Sequence, residues 1–311
     1  MTAIVIGIDG GGTRTRAWVA DESGAPLGSA EGAGSAVRPG EGEQSAEIIA
    51  GVVRDALASC GMTHVTPKVL CVGAAGVARE AERQSLWQAL VARDLAEDVV
   101  VHADAAVALD DAFGDGPGIL LIAGTGSIAY GRSPTGESGR CGGWGPVCGD
   151  EGSGAWIGRR ALSIATAASD GREPDTALVG ALLTAIEADD VTALIPWAST
   201  ATPAKLASLA PVVISAADAG DLRANALLSL ASEELVMHVR TLARRLFADE
   251  RASAPVALGG GLLAPGSPLR RRVEHRLRSA APGAQIRAEE VVPVRGAVRG
   301  ALRMLGIRAE A

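Results

Sequence analysis

Apolar residues open the chain as a short strand-like run, Ala3 to Ile8, that ends at an acid and three glycines, Asp9 to Gly12. Thr15 to Val19 and Pro26 to Ala30 follow as two further strand-like segments, parted by the turn-forming Asp21-Glu22-Ser23-Gly24, so the pattern predicts a strand meander. The period then changes. Ala46, Ile49, Val52, Val53, Ala56 and Leu57 recur at helical spacing, with Gly61 just beyond, where a helix C-cap glycine belongs. Val69 to Val72 and Val99 to Val101 read as buried strands around a helix over Arg79 to Leu95, a pattern that favours parallel pairing.

The series β-β-β-α-β-α-β restarts at Gly118 to Ala123, continues through Ser127 to Tyr130, and reaches a turn at Ser133 to Gly136. A helix-rich stretch from Gly152 to Leu246 comes next, and its apolar positions read as core. Val256-Ala257-Leu258 then enters a second triple glycine, Gly259 to Gly261. The expectation is an α/β protein of two related lobes with duplicated mixed five-stranded sheets. One lobe comprises residues 1–112 and 294–311, and the other, helix-rich, comprises 113–293.

Composition narrows the function classes. The 311 residues are 48% hydrophobic and 21% charged, a globular balance. A net charge of −7 argues against nucleic acid, whose binding rests on clustered Lys and Arg. The one dense basic run, Arg270 to Arg272 with Arg276 and Arg278, reads as a solvated helix face. Four cysteines, Cys60, Cys71, Cys141 and Cys148, and four histidines lack zinc or disulfide spacing, so Cys141 and Cys148 are expected to be packing residues. With no basic leader and no apolar stretch long enough to span a bilayer, the expected location is the cytoplasm, without membrane contact.

The candidate chemistry lies in the glycine loops. Asp9-Gly10-Gly11-Gly12-Thr13 offers backbone N–H groups and a threonine hydroxyl to phosphate oxygens, and Asp9 is suited to hold Mg²⁺ through water. Gly124-Thr125-Gly126-Ser127 repeats the device, and two such loops suit a nucleotide held between two lobes. Neither fits the P-loop pattern, and the only two lysines, Lys68 and Lys205, stand outside both loops. Nor does the first loop suit a dinucleotide fingerprint, because a strand follows it.

Asp104 ends an apolar strand at the start of a helix. There it either caps the helix or accepts a hydroxyl proton during phosphoryl transfer. Gly142 to Ser153 combines glycines, Trp144 and the acids Asp150 and Glu151, a mix suited to a polyhydroxylated ligand. The alternative is a glycine-rich loop with an Asp N-cap.

Together these motifs resemble the BadF/BadG/BcrA/BcrD-type ATPase family of the actin-like, hexokinase-like superfamily, most closely its N-acetylglucosamine and glucosamine kinases. The likeness runs through Asp9 to Thr13, Asp104 to Ala106, Gly124 to Ser127, Gly143 to Ser153 and Gly259 to Gly261. It implies an actin-like, ribonuclease H-like fold and a kinase that moves the γ-phosphoryl of MgATP to the 6-hydroxyl of an amino sugar, with lobe closure excluding water. By the same resemblance Asp9, Gly10, Gly11, Gly12, Thr13, Gly124, Thr125 and Gly126 bind nucleotide, Gly260 and Gly261 lie by the adenosine, and Asp104 is the base. Gly143, Trp144, Gly145 and Asp150 would hold the sugar beside Asp104, and homodimers are expected.

One departure bears on the substrate. Val37 stands in Gly34-Ser35-Ala36-Val37-Arg38 where those kinases carry a sugar-binding Asn, which leaves Ser35 and Arg38 as the flanking groups to replace it. A kinase of another hexose or of N-acetylmuramic acid is therefore an alternative. The family's dehydratase and reductase activators are a further one, and they need interface cysteines for a shared cluster. A sugar-responsive repressor would need a DNA-reading domain ahead of Asp9, and eight residues precede it.

Overall fold

In the computed structural model, residues 3–247 and 253–307 are described. The chain forms two compact units: one runs to Gly116 and resumes at Val291, and the other is Pro117–Glu290. Among the described residues ten strands are β1 (Val5–Gly10), β2 (Arg14–Ala20), β3 (Pro26–Ala33), β4 (Val69–Ala74), β5 (Asp98–Ala103), β6 (Gly118–Ala123), β7 (Ser127–Arg132), β8 (Ser138–Gly142), β9 (Ala254–Gly259) and β10 (Ala284–Ile286). The first unit carries helices α1 (Gly42–Ser59), α2 (Glu80–Val91) and α3 (Asp104–Phe113). The second carries α4 (Gly145–Cys148), α5 (Gly154–Ser169), α6 (Leu178–Ala185), α7 (Leu194–Thr200), α8 (Pro203–Ala207), α9 (Ala210–Asp218), α10 (Leu222–Leu246) and α11 (Pro268–Ala280), after which α12 (Pro293–Met304) rejoins the first.

The sheets are topological copies. The first has strand order β3-β2-β1-β4-β5 and the second β8-β7-β6-β9-β10. In each, the first three strands of the repeat form an antiparallel meander and the last two add in parallel. The α/β class and the two mixed five-stranded sheets agree with the sequence pattern. β8 and β10 carry little apolar signal and are set by pairing to β7 and β9.

Burial explains why β1 and β4 read as unbroken apolar runs. Ile6, Ile8, Leu70 and Val72 face one layer with Ile49 and Val53 of α1 and Leu86 and Leu90 of α2. Their sequence neighbours Val5, Val69 and Cys71 face the other, against Val107 of α3 and Ala297, Val298 and Ala301 of α12. Because side chains alternate across a strand, a sheet covered on both faces needs an apolar residue at every position. The second unit has one core that joins β6 and β9 to α5, α9, α10 and α11.

An ionic joint fixes α12 to α3. The buried carboxylate of Asp111 accepts from Arg295 Nε at 2.5 Å and from the Val292 N–H at 2.7 Å, while Arg299 donates to the Asp111 carbonyl at 3.0 Å. Arg303 pairs with Asp110 and Asp115. The same helix that begins with Asp104 thus grips the segment by which the chain re-enters this unit.

Two expectations are corrected here. The basic run is not simply a solvated face, because Arg270 is buried and donates to Glu274 at 2.6 Å and to the carbonyls of Leu263 and Arg287 at 3.2 and 3.3 Å. Arg272 reaches Asn225 and Arg276 pairs with Glu233, both at 2.6 Å. The Arg287, Asn225 and Glu233 partners come from other segments and leave no local sequence signal. Cys141 packs against the second core, but Cys148 is exposed at the end of α4 and is not a packing residue.

Candidate functional site

In the first unit the candidate residues gather at the carboxyl ends of the parallel strands β1, β4 and β5. Asp9 lies one residue before the end of β1, level with Gly73 of β4 and His102 of β5. Asp104 directly follows β5 as the first residue of α3, and Ala103 rather than Asp104 occupies the cap position. The strands that lead to the two carboxylates are two spacings apart, roughly 10 Å. Ligands of open α/β sheets bind at such strand ends.

The electrostatics of the pair are set by lost water. Burial, then the nearby Asp104 charge, pushes the Asp9 carboxyl up from 3.8 to about 6, although Arg16 and Arg14 pull it down. Burial also raises Asp104, against the Ala105 N–H that donates to its Oδ1 at 2.8 Å. Desolvation outweighs the helix N-terminus here. Two desolvated carboxylates whose charges interact favour a bound cation.

The loop after β1 is a hairpin turn closed by Gly11 N–H donating to the Arg14 carbonyl at 2.9 Å. Gly12 and Thr13 are exposed at its tip. Ser35 and Ala36 N–H groups donate to the Gly11 carbonyl at 3.1 and 3.2 Å, and the Thr15 hydroxyl donates to Ser35 Oγ at 2.8 Å. Ser35 is therefore a strut beneath the loop. Val37 sits in the hydrophobic core with its N–H on the Ala75 carbonyl at 2.9 Å. Arg38 is exposed and pairs with Glu41 at 3.9 Å.

The second unit repeats the arrangement. Gly124 to Gly126 close the β6–β7 turn, with Gly124 N–H on the Gly126 carbonyl at 2.9 Å. N–H groups from the first turn of α5, Gly154 and Ala155, donate to the Gly124 and Thr125 carbonyls at 2.8 and 3.2 Å. Gly259 ends β9 level with Ile122 of β6. Gly260 follows with φ of 85°, and a side chain there would run into the Ala123 backbone. Only glycine meets both demands at low cost. The Gly124 loop and Gly260 thus share one strand-end surface.

Ser127 joins this surface to the Gly142–Ser153 loop. Its hydroxyl donates to the Glu151 carbonyl at 2.7 Å, its carbonyl accepts from Gly143 N–H at 3.0 Å, and its N–H donates to the Asp150 carboxylate. Asp150, only 7% exposed and at φ of 59°, also accepts from Gly145 N–H at 3.2 Å. Its Oδ2 stands 2.7 Å from where a Gly126 Cβ would be, so that glycine makes room for the carboxylate. Burial raises the Asp150 pKa despite these donors. The helix cap is Ser153, which accepts from Trp156 N–H at 3.2 Å, so Asp150 is not the N-cap.

On the other side of the loop, Arg140 donates to the Gly142 carbonyl at 2.8 Å and to that of Gly143 at 3.4 Å, and its guanidinium stacks 4.2 Å from the Trp144 ring centre. Trp144 remains 66% exposed. Such a stack restrains an exposed ring and leaves its other face for a ligand. Sequence spacing missed Arg140 and His238, since Arg140 acts within its own turn and His238 reaches the loop from α10.

Mg²⁺ takes carboxylate oxygens and keeps several waters. No group of three or more His, Cys, Asp or Glu residues poised for a metal exists among the described residues. The desolvated Asp9 and Asp104 fit a water-retaining Mg²⁺, and a closed all-protein cage is absent among those residues.

Duplicated β-β-β-α-β-α-β sheets, each with a glycine loop at its strand ends, make an actin-like, hexokinase-like fold. The chain belongs to the BadF/BadG/BcrA/BcrD ATPase family, whose model matches residues 6–301. It is 31% identical over 258 residues to an N-acetylmuramic acid/N-acetylglucosamine kinase of Clostridium acetobutylicum, covering 82% of this chain and 84% of that one. It is 30% identical over 312 residues to an N-acetyl-D-glucosamine kinase of Dictyostelium discoideum, covering 96% and 98%. A crystal structure from Chromobacterium violaceum, provisionally assigned as an N-acetylglucosamine kinase, superposes with a TM-score of 0.81 at 33% identity over 95% of this chain and 98% of that one.

Proposed function

We propose that the protein is an ATP-dependent amino-sugar kinase that phosphorylates the 6-hydroxyl of N-acetylglucosamine or glucosamine. The observation that carries this reading is the desolvated Asp104 at the end of β5 beside Asp9, in a chain similar along most of its length to N-acetylglucosamine kinases. Asp104 accepts the hydroxyl proton as the sugar O6 forms a bond to the γ-phosphorus and the bond from that phosphorus to the ADP oxygen breaks. Its raised pKa brings the base closer to neutral pH, where general-base efficiency is greatest.

The remaining roles follow from charge and access. Gly12 and Thr13, and likewise Gly124 to Gly126, are phosphate-binding residues, and Gly260 and Gly261 accept the adenosine. Asp9 is the water-mediated Mg²⁺ residue, and the ion supplies charge neutralisation to the phosphate oxygens. Trp144 forms an apolar platform for the sugar ring and Gly143, Gly145 and Asp150 hold the sugar beside it, their bonds to Ser127 and to one another keeping the loop in shape. The protein acts in the cytoplasm and as a homodimer.

N-acetylmuramic acid is the second acceptor to test, favoured by the clostridial relative's dual activity and by Val37, which supplies no side-chain hydrogen bond. The test is ADP release from MgATP with N-acetylglucosamine, glucosamine, N-acetylmuramic acid, glucose or mannose, against a sugar-free control. Stimulation by an amino sugar is the expected result. ADP release equal with and without every sugar would refute the kinase reading.

A further inference from the structure

Most polar groups of the Gly142–Ser153 loop are already committed within the protein. The Gly142 and Gly143 carbonyls accept from Arg140, Gly143 N–H donates to Ser127, and Gly145 N–H donates to the buried Asp150. Glu151 differs. Its side chain is 37% exposed, and its carboxylate lies 3.8 Å from His238 Nε2 while its charge also acts on the adjacent Asp150.

His238 enters from the middle of α10, a helix otherwise concerned with the core. It is 7% exposed, and its Nδ1 is buried without a hydrogen-bond partner among the described residues. The ring also lies under the loop: a Cβ on Gly142 would be 3.0 Å from both Cε1 and Nε2. An imidazole placed in an apolar helix face at the cost of an unmet ring nitrogen calls for a compensating role. Leu or Met would fill that space without the cost.

Resting on the amino-sugar kinase reading, we infer that Glu151 is a specificity-determining acceptor for an O–H or N–H donor on the sugar ring, and that His238 is the positioning residue that sets its carboxylate. Asp150, its neighbour in sequence, accepts from the Ser127 and Gly145 N–H groups, which leaves Glu151 the more exposed of the two adjacent acids. A carboxylate accepts bidentate bonds from vicinal donors of a sugar and adds charge attraction for a ring ammonium.

The test is steady-state kinetics of the full chain with MgATP and either glucosamine or N-acetylglucosamine, for wild type, Glu151→Gln, His238→Leu and His238→Gln. Glutamine at 238 can present an N–H where Nε2 stands, whereas leucine keeps only the bulk. Glu151→Gln and His238→Leu should raise the sugar KM about ten-fold with the KM for ATP unchanged and kcat within about three-fold, and His238→Gln should restore most of the sugar KM. A larger loss with glucosamine would place the ring ammonium at Glu151, and equal losses a hydroxyl, and both results support the assignment. An unchanged sugar KM in Glu151→Gln, while wild type phosphorylates sugar normally, would overturn the assignment of Glu151 alone. Equal KM values for His238→Leu and His238→Gln would overturn the positioning role. A wild type that phosphorylates no sugar would overturn the kinase reading and this inference with it.

Discussion

Replacing Asp9 by Asn should stabilise the ligand-free protein at neutral pH while disabling it. The Asp9 carboxyl is raised from 3.8 to about 6, chiefly by burial and next by Asp104, a shift of about two units. At 1.36 kcal/mol per unit, the folded state bears on the order of 3 kcal/mol for keeping this group ionised. Its native pKa lies above its unfolded one, so the native state binds the proton more tightly between about 4 and 6. Stability is therefore lost as pH rises through that window, and the full cost applies above about 6.

Asp9→Asn keeps the shape and removes the charge, so its gain should be greatest at pH 8 and about half as large at pH 5. At roughly 2–4 °C per kcal/mol for a domain of this size, the rise in Tm at pH 8 should be several degrees. Thermal and urea unfolding at the two pH values read the effect directly, with Mg²⁺ absent. A Tm at or below wild type at pH 8, or a gain equal at both pH values, would refute the reasoning. Adding Mg²⁺ should stabilise wild type more than the variant, because the cation offsets the cost of the buried Asp9 charge.

Asp104→Asn should lower kcat by about 10²–10⁴-fold with ATP affinity within about two-fold of wild type, measured by turnover and by calorimetry; most of kcat retained would remove Asp104 as base. The acid limb of wild-type kcat/KM should lie above the ordinary carboxylate range, since burial raises Asp104, and a limb near 4 would contradict that cause. Asp111→Ala leaves the Val292 N–H and a half-exposed Arg295 without the carboxylate, so it should cost about 2–3 kcal/mol in urea unfolding. Gly260→Ala forces a side chain against the Ala123 backbone at positive φ and should weaken ATP binding at least ten-fold; wild-type affinity would show that this turn does not need glycine.

The sheets were legible because β1, β4 and β6 are buried on both faces and carry apolar residues at nearly every position. β10, three residues long, and β8, Ser-Gly-Arg-Cys-Gly, were not, since partner strands rather than their own side chains define them. The glycine loops and Asp104 stand out because backbone approach and a strand-end carboxylate impose residue types that survive in sequence order. Arg140 and His238 do not, because one acts within a turn and the other lies on a helix that starts some 70 residues after the loop it touches. Arg270 misleads for the same reason. In sequence it belongs to a charged run, and in the fold its guanidinium finds carbonyls on two separate segments.

The central claim is phosphoryl transfer to an amino-sugar hydroxyl with Asp104 as base, and it is tested most directly by phosphorus–proton correlation NMR of the product formed from MgATP and N-acetylglucosamine or glucosamine. The account predicts one phosphomonoester coupled to the C6 protons in the wild-type reaction and almost none with Asp104→Asn. ATP converted to ADP and inorganic phosphate, with no sugar phosphate formed from either sugar, would contradict it.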